Sequence, residues 1–168
     1  QYNNPEYFRT NSTSHISSIA TQINCCVINP PREYIEFNDD DKVYEVFGKD
    51  ELLSPACQNF INATFCLNPL DALNEMHKAL VTIVKASSKR LDKLNHVVGT
   101  ILPFETAFAL LLGSIISSGA PGFEETAEFI IRFAPQDCLC PEFEYALAST
   151  AASLRYCRII VETFNTEK

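Results

Sequence analysis

Apolar residues along this chain recur at helical spacing almost throughout. In "SHISSIATQINCCVI", Ile16, Ile19, Ala20, Ile23 and Val27 fall on one face of a helix. The following "INPPREYIEF" reads as a connector, because consecutive prolines cannot continue a helix. A short helix is expected in "NDDDKVYEVF", whose carboxylates suit a helix N-terminus. "SPACQNFINATF" predicts another, with Ser54 as cap and Pro55 at the first helical position. The clearest helix is "NPLDALNEMHKALVTIVKASS", capped by Asn68, opened by Pro69, with Asp71 in its first turn and Lys85 near its end. Its buried stripe is expected to be Leu70, Leu73, Met76, Leu80, Ile83 and Val84.

Residues 88–103, "SKRLDKLNHVVGTILP", read as a partly apolar loop with room for one helical turn. "FETAFALLLGSIISSG" is apolar nearly all round, which marks a central helix buried on several sides and ended by Gly119 in a left-handed conformation. "PGFEETAEFIIRFA" gives an amphipathic helix carrying Phe123, Phe129, Ile130 and Phe133. "PQDCLCPEFE" reads as a loop, and the last helix runs through "YALASTAASLRYCRIIVETF" with Leu147, Leu154, Cys157, Val161 and Phe164 inward. No strand pair, Asn-Gly hairpin or repeat interrupts the pattern. The expected fold is all-α, a single domain built as a layered bundle of about six to seven helices.

Composition narrows the function classes. With 168 residues, 46% of them hydrophobic, the chain can bury one sizeable core. A net charge of −8 argues against a nucleic-acid surface or an anionic membrane, since phosphates need clustered Lys and Arg. "KASSKRLDK" is the nearest basic cluster and reads as a solvated helix end. The longest apolar run, "AFALLLGSII", is too short for a bilayer, which takes ~20 residues. No signal-peptide pattern is visible, and a chain opening on Gln1 reads as a fragment or a processed form.

Enzymatic motifs are missing from the sequence. His15, His77 and His96 have no partner at metal spacing, and His77 beside Lys78 reads as solvated. The seven cysteines include no C-x-x-C pair, so they read as free thiols in a cytosolic protein. Two sequons, at Asn11 and Asn62, support the rival expectation of a secreted, disulfide-bonded helical protein. Glu124 and Glu125 fall at a helix N-terminus, where the macrodipole accounts for them. Two residues stand out: Glu105, before the most buried helix, and Tyr145, at the opening of the last one. If those helices pack side by side, the two can share one surface.

The segment order resembles the vacuolar protein sorting nine (Vps-nine) domain, a helical nucleotide exchange factor for Rab-five-type GTPases. The likeness begins at "NPLDALNEMHKALVTIVKAS", continues through "FETAFALLLGSIISSGAP" and is closest in "PGFEETAEFIIRFAPQDCLCPEFEYALASTAASLRYCRI". It implies a core over residues 64–168 and an N-terminal helical layer over 1–63, together one compact unit. By position, the family's exchange residues fall on Glu105 and Tyr145, with Thr106, Ala109, Ala148 and Ser149 beside them as partner contacts. The family's acid is Asp where this chain has Glu105. Ala109, Glu144 and Ala148 stand where proline, glycine and threonine are usual. The resemblance implies a Rab GTPase partner, no cofactor, and a cytoplasmic protein recruited peripherally to endosomal membranes. The alternative is a scaffold of the same fold that binds without exchanging.

Overall fold

A computed structural model describes residues 15–93 and 102–167. Among them the fold is all-α, with eight α-helices and two short 3-10 turns. In chain order the helices are α1 (Ile16–Ile19), α2 (Cys25–Ile28), α3 (Val43–Lys49), α4 (Ser54–Thr64), α5 (Pro69–Lys93), α6 (Phe104–Ser118), α7 (Phe123–Phe133) and α8 (Pro141–Thr166). The only β geometry among the described residues is an isolated bridge between Asn24 and Lys42.

The first expected helix is broken. A 3-10 turn at Ala20–Gln22 separates α1 from α2, and Ile23 leaves helical geometry to accept a hydrogen bond from the Val43 amide at 2.9 Å. Val27 is therefore rotated out of the expected stripe and is 53% exposed. Asn29 adopts a left-handed conformation (φ 43°) that closes α2 before Pro30 and Pro31. The proline-rich connector then contributes Tyr34, Ile35 and Phe37 to the core.

Around α4 and α5 the expected caps shift. Ser54 is the first residue of α4, and the capping is done by Asp50, whose Oδ1 accepts from the Leu52 and Leu53 amides at 3.0 and 2.9 Å. Asn68 caps α5 as expected, its Oδ1 accepting from the Leu70 amide at 2.8 Å. The buried face of α5 holds Ala72, Leu73, Met76, Ala79, Leu80, Ile83 and Ala86, while Leu70 and Val84 face outward. Residues 88–93, expected as loop, continue α5. The rest of that stretch lies largely outside the described residues.

Helix α6 is the centre of the molecule. Residues Leu110 to Ser117 are buried without a break, because other helices cover it on several sides. Gly119 ends it at φ 58°. Phe47 of α3 lies directly over Gly113, and Phe60 of α4 meets Phe123 of α7 edge to face at 6.2 Å. These three phenylalanines are fully buried, each contributing on the order of 2–3 kcal/mol by removal from water. In α7, Phe123 and Ile130 point inward as expected, while Phe133 is exposed. Helix α8 opens at Pro141, four positions earlier than its apolar pattern suggests, since Pro suits a helix start. No described helix is long and apolar enough to cross a membrane.

Candidate functional site

Helices α6 and α8 lie side by side and antiparallel. Phe108, in the second turn of α6, meets Tyr156 in the second half of α8, with ring centroids 5.0 Å apart. At the other end, Leu111 and Ile115 share a small internal space with Ala146, Ser149 and Ser153. Between the two helices runs an open groove of about 590 Å³, closed at one side by α2. Leu112 and Ile160 form buried parts of its wall. Along its rim Val27, Phe104, Tyr156 and Ile159 are each about half exposed (48–53%). Phe104 also stacks on Phe108 at 5.7 Å. A continuous exposed apolar surface of this kind makes the groove the candidate interaction site.

The six residues singled out from the sequence divide into three groups. Glu105 and Ala109 line the groove, Glu105 with its side chain exposed in the first turn of α6. Tyr145 and Ala148 are exposed on the first turns of α8. Thr106 and Ser149, expected as partner contacts, are buried at 8% and 4% exposure and offer nothing to an outside molecule. Ser149 is buried because small hydroxyl residues let α8 approach its neighbours closely, as beside it at Thr150, whose hydroxyl donates to the Ala146 carbonyl.

Glu105 and Tyr145 do not converge. Tyr145 precedes Tyr156 by three helical turns, ~16 Å, and Glu105 sits one turn outward from Phe108. Antiparallel packing therefore sets them roughly 20 Å apart, at opposite ends of the α6–α8 pair. The sequence pattern locates both at helix N-termini but carries no information on relative helix direction. Since three turns bring a helix back to nearly the same azimuth, Tyr145 and Tyr156 do face the same way.

The exposed residues that line the groove do not stand out in the sequence as a set, although each carries a signal. Phe104, Tyr156 and Ile159 are apolar residues outside the inward stripes of their helices, and an outward aromatic next to an outward β-branched residue is the signal. The histidines also differ from expectation. His77 is half-buried against the Phe143 ring at 5.5 Å, and His15 meets Glu124 and Glu125. All seven cysteines are unpaired in the structure. Comparisons with protein-family models, with curated proteins and with solved structures find no match to this chain.

Proposed function

We propose that this chain is a docking domain for a Rab-type small GTPase and acts on it as a guanine nucleotide exchange factor. The observation that carries the reading is the apolar groove between α6 and α8, with the Glu105 carboxylate at its rim. A standard protein interface covers about 800 Å² per partner, a patch roughly 30 Å across. One folded partner seated in the groove therefore reaches both Glu105 and Tyr145.

The chemistry follows from how a GTPase holds nucleotide, through Mg²⁺ and a phosphate-loop lysine. A carboxylate brought beside that lysine competes with the β-phosphate and disfavours the metal. Tyr145, at the far end, holds the displaced switch segment, while Tyr156 and Ile159 bury its apolar residues. The net charge of −8 attracts a partner lysine and speeds encounter. Recruitment to endosomal membranes then comes from partners.

Release of a fluorescent GDP analogue from a panel of Rab GTPases tests this. The expected outcome is acceleration for one subgroup, reduced at least ~10-fold by Glu105→Ala and by Tyr145→Ala. A second reading, docking without exchange, is favoured by the roughly 20 Å between Glu105 and Tyr145. It predicts capture of a Rab GTPase, abolished by Tyr156→Glu, with nucleotide release unchanged.

A further inference from the structure

A second cluster shares no residue with the groove. His15 immediately precedes α1, while Glu124 and Glu125 lie in the first turn of α7. The Ile16 amide donates to Glu124 Oε1 at 2.6 Å, which fixes that carboxylate. Its other oxygen, Oε2, is buried and has no hydrogen-bond partner. That oxygen stands 3.8 Å from His15 Nδ1, beyond hydrogen-bond reach, and His15 Nε2 stands 3.1 Å from Glu125 Oε1. One nitrogen and two carboxylate oxygens thus lie within 4.8 Å of one another.

The helix N-terminus accounts for two acidic residues there, at about 0.3–1 kcal/mol each. It does not account for a carboxylate oxygen that is buried, without a hydrogen bond and turned toward an imidazole. We infer that His15, Glu124 and Glu125 bind one divalent transition-metal cation of the zinc type. Imidazole with carboxylates is the donor set such ions take, at about 2.0–2.2 Å each. Those bond lengths set tetrahedral ligand atoms about 3.4 Å apart, so the cluster closes by about 1 Å or slightly more. Glu124 is fixed and the other two can move: their side chains are 39% and 58% exposed for His15 and Glu125. The same exposure leaves a fourth position open to water. Bound, the ion clips the chain before α1 onto the start of α7.

Exposed thiols at Cys26, Cys138 and Cys140 compete for soft metals, so the test uses Co²⁺ on chain whose accessible thiols are alkylated. We expect saturable uptake of about one ion per chain, with nitrogen–oxygen ligand-field absorption and no thiolate charge-transfer band. Zn²⁺ should displace it. His15→Ala and Glu125→Gln, both at partly exposed side chains, should each weaken binding at least ~10-fold while the circular dichroism stays unchanged. Absence of saturable uptake, uptake indifferent to both substitutions, or a thiolate band would each overturn the site. In those cases the cluster is an ion pair alone.

Discussion

Gly113 is the most closely approached of the described glycines. A Cβ built there overlaps the Phe47 ring, which is itself fully buried. Gly113→Ala gains about 1 kcal/mol of helix propensity and loses more, because the ring has nowhere to go. A net destabilisation of about 1–3 kcal/mol is expected in urea unfolding. Phe47→Leu should relieve most of the added cost in the double variant; simple additivity of the two changes would show that the contact is not the cause. The thiols give a second case. Burial pushes the Cys25 thiol up from 9.0 to about 11, and burial with Glu124 nearby raises Cys157 further. At neutral pH a maleimide should therefore label Cys26, Cys138 and Cys140 and spare Cys25 and Cys157 in native chain. Since a raised thiol pKa favours the neutral form when folded, the stability contributed by Cys25 is full below pH 9.0 and is lost as pH rises to about 11. Label on Cys157 without unfolding would contradict its burial. The sequence marked "FALLLGSII" as buried all round, but only the fold reveals which ring needs Gly113 to be bare.

At the scale of elements, α5 is the instructive case. Its apolar stripe fades in "SKRLDK", so the pattern reads as loop, yet the helix continues. Tertiary tethering replaces the missing hydrophobic face. Arg90 donates to the Tyr34 carbonyl and pairs with Asp50, joining the connector, the α4 cap and the end of α5. The pair is partly buried, with side chains 21% and 10% exposed, so its loss strands Asp50 away from water. Arg90→Ala should lower unfolding free energy by about 2–3 kcal/mol, measured by chemical denaturation. Arg90→Lys should recover little, because one ammonium cannot serve both acceptors at the guanidinium spacing. Full recovery with Lys would mean that charge alone holds the junction. Such pairing at long range is invisible to local periodicity. So is the break between α1 and α2, where Ile23 gives up helix geometry to bond Val43.

For the molecule as a whole, the all-α class was legible because apolar spacing near 3.6 residues persists from Ile16 to Phe164 and nothing alternates. The direction in which α6 meets α8 was not, and that direction decides where Glu105 and Tyr145 stand. Nor does sequence show how closely the two halves of the chain depend on each other. Phe47 and Phe60, from the part preceding residue 64, are fully buried, one over Gly113 of α6 and the other against Phe123 of α7. Ile16 from α1 is also fully inside, and its amide holds Glu124 of α7. Cutting at residue 63 removes all these groups and uncovers the helix that is buried all round. At about 2–3 kcal/mol for each large apolar side chain, Ile16, Phe47 and Phe60 alone account for a loss comparable with the ~5–15 kcal/mol by which a domain of this size is stable. The fragment 64–168 is therefore expected to lack a cooperative thermal transition and to bind a hydrophobic dye, whereas residues 15–168 should unfold in one step followed identically by near- and far-UV circular dichroism. Adding the 1–63 peptide in trans should restore part of the transition, because the surfaces it covers are specific. A sharp melt of 64–168 alone would instead make the N-terminal helices an appendage, and the groove, whose one side is α2, would then be open to replacement by a partner's own helix.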